Sequence, residues 1–192
     1  SSKNLKPTPH KGSSVDASGH WQPKAPNEKT LYLAAEKRFP PLSELEQFVG
    51  HEFSDKKLLI QALTHRSYSQ EMIPPEADNE RLEFLGDRVL GLVIAEFLFQ
   101  SFLSEREGVL TNKFRYLIQN KQCTKIAEKL DITNYIQVGN SEKNKITNSI
   151  LADSIEALLG AIYLDGGYDE SKKVILSLWD EYLNNDEIIE FV

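Results

Sequence analysis

Cysteine is almost absent from this sequence of 192 residues, because Cys123 is the only one. A single cysteine excludes an internal disulfide and any structural zinc site that needs two thiolates. Nothing in the cysteine usage indicates an oxidising destination, so we expect an intracellular, reducing compartment, either cytoplasm or mitochondrion. Cys123 itself is expected to be a small, buried, apolar residue.

Long apolar runs are also absent. The most apolar segment, residues 89–98 ("VLGLVIAEFL"), contains Glu96 and is too short to span a bilayer. The amino terminus lacks the apolar core of a signal peptide. We therefore expect a soluble protein that does not enter a membrane.

An excess of positive charge is missing as well, since the net charge is −7. The charge is unevenly distributed: residues 1–40 carry seven Lys/Arg and three Asp/Glu, and the remainder has a net charge of −11. We predict a flexible basic extension over residues 1–40, a helical domain over 41–184 and an acidic tail over 185–192. The basic extension is interpreted either as a leader segment or as an arm that docks on RNA, a ribosomal component or another protein.

Helical patterns follow one another from residue 41 onward, and no repeat has a fixed period. Caps are predicted at Ser54 and Thr111, and the apolar helix "SILADSIEALLGAIYL" is predicted to stop at "DGG". "NYIQVG" is the best strand candidate. The sequence therefore predicts an all-α domain.

Three carboxylates precede the apolar run, in "NERLEFLGDRVLG". At about 100° per residue, Glu80, Glu83 and Asp87 fall within roughly 60° of one another around a helix. Phe84 occupies the position four residues after Glu80, where a lysine would relieve the repulsion. Arg88 is expected to point away from this stripe.

A second acidic pair, Asp153 and Glu156, lies in an otherwise apolar helix. Burying such a pair is costly unless a cation compensates it, and Gly160 one turn later permits close approach by another helix. The all-oxygen set favours Mg²⁺, with Mn²⁺ as a substitute. The alternatives are acids that complement a helix dipole and a solvated charged face.

"NERLEFLGDRVLGLVIAEFLF" resembles the signature of ribonuclease III, an endonuclease that cuts double-stranded RNA. The resemblance extends in order through "LTHRSY", "EGVLT" and "SILADSIEALLGAIYLDGG" and covers residues 41 to about 184. It implies an all-helical fold, a dimeric helical bundle with one metal cluster per subunit, and hydrolysis to 5′-phosphate and 3′-hydroxyl ends in RNA processing.

The resemblance also assigns roles to individual residues. It implies a catalytic and metal-binding quartet of Glu83, Asp87, Asp153 and Glu156. Glu80 and Glu107 match two further acidic positions on the RNA side. Phe84 matches an aromatic knob at the dimer interface, although from the residues alone it could equally be core.

Three other polar residues have alternative interpretations. His65 in "LTHRS" is expected at a helix end, bonded to the backbone, with a catalytic base as the second option. Lys113 and Arg115 either contact RNA phosphates or belong to a solvated face.

Two features depart from the bacterial pattern. The chain ends at "NNDEIIEFV", where a double-stranded-RNA-binding domain usually follows, and the basic extension precedes the domain. These features also fit a ribonuclease III fold that serves as a structural subunit of a mitochondrial ribosome and binds rRNA. The complete set of acids favours the enzyme over that subunit, and a helical protein-interaction module ranks last.

Overall fold

The computed structural model describes residues 13–15, 21–23, 33–35, 37–143, 145–185 and 188. The chain divides into two units, Ser1–Lys37 and Arg38–Val192. In the first unit, strands β1 (Ser13–Val15) and β2 (Trp21–Pro23) pair antiparallel, with Ser14 opposite Gln22. The sequence does not predict this pairing, and most of the predicted basic extension lies outside the described residues.

The second unit is helical, which confirms the predicted all-α class. Its helices are α1 (Leu42–Val49), α2 (Lys56–Ala62), α3 (Arg66–Glu71), α4 (Glu80–Ser101), α5 (Glu107–Ile118), α6 (Asn120–Lys129), α7 (Asn148–Leu178) and α8 (Asp180–Leu183). A short 3-10 turn, Ile132–Asn134, follows α6. The predicted acidic tail over 185–192 lies mostly outside the described residues.

Helices α4 and α7 form the centre of this unit and share its most extensive packing. Both contribute buried aliphatic side chains, such as Leu90 and Ile94 from α4 and Ile155 and Leu158 from α7. Both helices are thus fixed by the hydrophobic core, so side chains at their crossing are held by packing.

Helix α7 is kinked where the sequence predicts a stop. Gly167 has φ 80° and ψ −173°, a backbone conformation that residues other than glycine rarely adopt. The loop before α2 is tied to this kink, because the His51 ring nitrogens lie 2.8 Å from Asp165 and 3.0 Å from Glu170. Gly166 leaves room for the imidazole, since a Cβ there would lie 3.1 Å from His51 Cε1.

Three local predictions are wrong. Helix α2 is capped by Asp55, whose side chain accepts from the Lys57 amide at 3.0 Å, so the cap lies one residue after Ser54. Helix α5 begins at Glu107, and Thr111 lies inside it, donating to Glu107 at 2.7 Å. Gln137 in "NYIQVG" forms only an isolated parallel bridge with Thr64, because a helical body offers it no strand to pair with.

Within the described ranges, no helix combines the length and the apolar character that crossing a membrane requires.

Candidate metal centre

Three of the predicted acidic residues converge where α4 crosses α7. Glu83 comes from the first turn of α4, and Asp153 and Glu156 come from successive turns of α7. One carboxylate oxygen from each residue lies within 4.8 Å of the other two. The set is therefore compact enough for one cation to contact all three side chains.

Two glycines let the helices approach closely enough to form this cluster. A Cβ on Gly86 would lie 1.6 Å from the Glu156 carbonyl oxygen, and a Cβ on Gly160 would lie 2.2 Å from the Leu82 carbonyl oxygen. Either methyl group would force the backbones apart. The predicted close approach at Gly160 is confirmed, and it brings the acids of α4 onto those of α7.

All three acids of the cluster have raised pKa values, because they have restricted access to water and because Glu83 and Glu156 also lie close to like charges. The pKa of Glu156 is raised to about 7, by burial first and then by the charges of Asp153 and Glu83, while Arg88 opposes the increase. Burial likewise raises the pKa of Glu83, with added effects of Asp153 and Glu80. Burial also raises the pKa of Asp153, against the hydrogen bond from Ser149 and the charge of His65.

These residues fit a hard divalent cation. Carboxylate oxygens are the ligands that Mg²⁺ and Mn²⁺ prefer. A cation here would offset the burial that raises all three pKa values and the repulsion that adds to it at Glu83 and Glu156. Glu156 is only 8% exposed, so solvent screens its charge poorly. The acidic cluster (Glu83, Asp153 and Glu156) is thus a candidate metal centre.

The structure does not bring the remaining predicted acids into this cluster. Asp87, one turn after Glu83, forms an ion pair with Arg88. The expectation that Arg88 points away is therefore wrong, because its long side chain folds back to the neighbouring carboxylate. Glu80 is exposed and lies 3.3 Å from the Arg66 guanidinium.

The comparison with known proteins identifies the family. A family model described as ribonuclease-III-like matches residues 55–182, which include all three acids of the cluster. The chain belongs to the ribonuclease-III-like family.

Curated relatives and solved structures are consistent with this membership. Ribonuclease 3 of Pelagibacter ubique is 43% identical over 149 residues, covering 77% of this chain and 65% of the relative. Ribonuclease 3 of Aster yellows witches'-broom phytoplasma is 52% identical over 119 residues, covering 61% of this chain and 50% of the relative. The nuclease domain of ribonuclease III from Campylobacter jejuni is 40% identical with a TM-score of 0.69, covering 75% of this chain and 97% of that domain.

The chain therefore has the ribonuclease III nuclease-domain fold, as the sequence motifs predicted. It spans about half to two thirds of the length of these curated relatives. A further structure of the Campylobacter jejuni domain, with a TM-score of 0.68, concerns flexibility in a region involved in dimer formation of that domain.

The predicted interface residue lies on the surface beside the acidic cluster. Phe84 is 66% exposed, and the guanidinium of Arg88 lies 5.1 Å from its ring centroid. The alternative that Phe84 belongs to the core is therefore wrong. The large apolar side chains of Leu92 and Phe99, further along α4, and of Leu103, two residues after its end, are also exposed.

Glu107 lies apart from the acidic cluster, on an apolar groove between α4 and α5. The groove is lined by Leu92, Ala95, Glu96, Leu98, Phe99, Glu107, Leu110, Thr111 and Phe114. In the described part of the chain, Glu107 therefore lines this groove and not the acidic cluster.

His65 and Cys123 lie near the cluster and have structural roles there. His65 is the N-cap of α3, where its Nδ1 accepts from the Ser67 amide at 3.2 Å, as the helix-end interpretation predicts. The pKa of Cys123 is raised to about 12, by burial first and then by the charges of Glu156 and Asp153. The thiol stays protonated and apolar, which confirms the prediction for this residue.

Both interpretations of Lys113, a contact with an RNA phosphate and a place on a solvated face, disagree with its position in the structure. Lys113 is fully buried, its ammonium donates to the carbonyl oxygen of Ile188, and it lies 4.4 Å from the Phe102 ring centroid. Because α5 begins before Thr111, Lys113 and Leu117 share its inward face. Arg115 is exposed, and its contact with RNA stays a prediction.

Two contributors to the site were not predicted. Gly86 makes the closest approach at the helix crossing. Its position could have indicated this, because it is a glycine between Glu83 and Asp87 in a helix otherwise rich in large residues. Ser149 lies 3.4 Å from Asp153 through its hydroxyl. Nothing in its sequence position distinguishes Ser149 from an ordinary first-turn serine.

Proposed function

We propose that this chain is the nuclease domain of a metal-dependent endoribonuclease that hydrolyses phosphodiester bonds of double-stranded RNA. The observation that carries the proposal is the acidic cluster, three carboxylates within 4.8 Å at a helix crossing. A purely structural domain gains nothing from this repulsion. The relatives are named Ribonuclease 3, which agrees with an enzyme and does not favour a structural ribosomal subunit.

Glu83, Asp153 and Glu156 are proposed to hold Mg²⁺, with Mn²⁺ as a substitute. A bound ion of this kind activates water and neutralises charge on the phosphate. The chain's own contribution is to fix the three oxygens and to limit water around Glu156. Because all three acids have raised pKa values, their affinity for the ion should increase with pH toward and above 7.

Asp87 is proposed as the fourth ligand, which requires its carboxylate to leave Arg88. That ion pair is on the surface, with the Arg88 side chain 65% exposed, so exchanging it for a metal costs little. Glu80 and Glu107 are proposed to act on the RNA side. Asp87→Asn is expected to weaken Mg²⁺ binding less than Glu156→Gln does, measured by calorimetric titration.

We also propose a homodimer that uses the exposed apolar residues of α4. Phe84, Leu92 and Phe99 on α4 and Leu103 just after it are large apolar side chains that face solvent in a single chain, and a partner subunit would cover them. Two antiparallel RNA strands also require two metal centres. Isologous pairing of this surface supplies both. The products are expected to carry 5′-phosphate and 3′-hydroxyl ends with a short 3′ overhang.

The decisive experiment is incubation of the pure chain with a long RNA duplex and Mg²⁺, beside a parallel reaction with EDTA. Cleavage that requires the metal and disappears in Glu156→Gln is expected. Glu105→Gln, which removes an exposed carboxylate on the α4–α5 connection, is the matched control and should cut normally. A wild-type chain that leaves the duplex intact with both Mg²⁺ and Mn²⁺ would contradict the proposal.

A further inference from the structure

A polar groove lies between α6 and the first turn of α7. It is lined by Asn120, Lys121, Thr124, Lys125 and Glu128 from α6 and by Asn148 and Ser149 from α7. The two walls are joined by a hydrogen bond, because Thr124 Oγ1 donates to the Asn148 carbonyl oxygen at 3.1 Å. The groove is therefore a fixed feature of the packed body.

The groove adjoins the acidic cluster. Ser149 lines the groove, and its hydroxyl also lies 3.4 Å from a carboxylate oxygen of Asp153. One helical turn, about 5.4 Å along the axis, separates these two residues on α7. A polymer lying across the metal centre would extend into this groove within a nucleotide or two.

The groove lining holds two lysines, Lys121 and Lys125, against one carboxylate, that of Glu128. Lys121 and Lys125 stand one turn apart on the exposed side of α6, and no ion pair joins either of them to another described residue. Some other surface lysines are in ion pairs: Lys129 lies 2.6 Å from Glu181 and Lys173 lies 2.9 Å from Glu170. The Lys125 ammonium lies 5.8 Å from the Tyr182 ring centroid, and after Lys129 its charge also lowers the pKa of Glu181. In a body with a large excess of acid, two ammonium groups against one carboxylate still make this groove a local positive site.

We propose that this groove is a phosphate-binding subsite for the RNA strand that crosses the metal centre, an inference that rests on the proposed function. Lys121 and Lys125 supply positive charge, and Asn120, Asn148 and Ser149 supply neutral donors, the combination that proteins use on nucleic-acid backbones. The groove binds the backbone without reading bases. It compensates, next to the acidic cluster, for the repulsion that the cluster exerts on phosphate.

The first test is single-turnover cleavage of an RNA duplex in Mg²⁺ by Lys121→Ala and Lys125→Ala. Each change should raise the half-saturating RNA concentration about two- to fivefold, with the maximal rate within about twofold of wild type. The dependence of the logarithm of affinity on the logarithm of salt should fall by roughly one for each lysine. Lys173→Ala, which removes an exposed lysine beyond the α7 kink, is the matched control. It should leave both the half-saturating RNA concentration and the salt dependence unchanged.

The second test replaces single phosphates near the cut with uncharged methylphosphonates. At the phosphate that the groove contacts, the neutral linkage should lower the RNA affinity of wild type. It should lower the affinity of Lys121→Ala or Lys125→Ala little further, as expected for a coupled pair in a double-mutant cycle. If wild type cuts RNA while both lysine variants match Lys173→Ala, the subsite is wrong and the proposed function stands. If wild type does not cut at all, the proposed function fails and the subsite fails with it.

Discussion

Replacing Glu156 by glutamine should stabilise the metal-free protein above neutral pH and leave it almost unchanged in mild acid. The amide keeps the shape of a protonated carboxyl but removes its charge from the acidic cluster. In the native state the pKa of Glu156 is about 7, because of burial and then of the charges of Asp153 and Glu83. In the unfolded chain it returns to about 4.3, so the folded state binds the proton more tightly.

The sign and the size of the effect follow from this difference. Between pH 4.3 and 7 the native state holds more protons than the unfolded state, so the stability of wild type falls as pH rises through this window. At pH 8 the charged Glu156 should cost on the order of 3 kcal/mol, at 1.36 kcal/mol for each unit of pKa. Glu156→Gln does not bear this cost, so its melting temperature at pH 8 should exceed that of wild type by roughly 5 to 10 °C.

Urea unfolding in EDTA at pH 5 and pH 8, at one fixed protein concentration, measures both free energies. Glu105→Gln, which removes an exposed charge from the same acidic protein, should show no such pH-dependent gain. Added Mg²⁺ should then stabilise wild type by about 2.7 kcal/mol at one hundred times its dissociation constant, and the variant by less. A Glu156→Gln protein that is less stable than wild type at pH 8, or whose difference from wild type is the same at both pH values, would refute the reasoning.

Other changes test the crossing, the interface and the kink. Gly160→Ala places a methyl group 2.2 Å from the Leu82 carbonyl oxygen and should destabilise by about 3 kcal/mol in thermal melts, whereas Gly108→Ala meets no atom within 4 Å and should be neutral or slightly stabilising. Phe84→Ala should raise the dimer dissociation constant tenfold or more by sedimentation; an unchanged dimer would exclude this interface. His51→Ala removes the imidazole that bridges Asp165 and Glu170, and although both carboxylates keep other donors, it should lower the unfolding free energy by about 1 to 3 kcal/mol in urea. No change would show that the bridge is not stabilising.

The core of the candidate site could be predicted because it depends on helical periodicity. Acids three residues apart in apolar helices must share a face, and a glycine one turn away permits a crossing. Glu83, Asp153 and Glu156 satisfy that rule, and the structure brings them together. Asp87 satisfies it equally, yet its carboxylate pairs with Arg88. Periodicity assigns a face to each residue but does not decide between nearby partners.

Elements set by tertiary context were not predictable in this way. The start of α5 could be placed at Glu107 or at Thr111 on local signals, and the choice decides whether Lys113 faces solvent or the core. The structure buries Lys113 because the carbonyl oxygen of Ile188, 75 residues later in the chain, accepts from its ammonium. No local pattern contains that partner.

The packing of α4 on α7 and the chemistry of the acidic cluster have one physical cause. Gly86 and Gly160 bring the two helix backbones into contact, and the aliphatic core on both helices holds them there. Moving the backbones that carry these carboxylates further apart would mean separating packed helices, so the charges stay close together. Two ways remain to lower the energy: protonation, which the raised pKa of Glu156 reflects, or a cation held among the oxygens. A proton and a divalent ion should therefore compete for this cluster, so that raising the pH from 6 to 8 increases Mg²⁺ affinity in wild type and does so much less in Glu156→Gln.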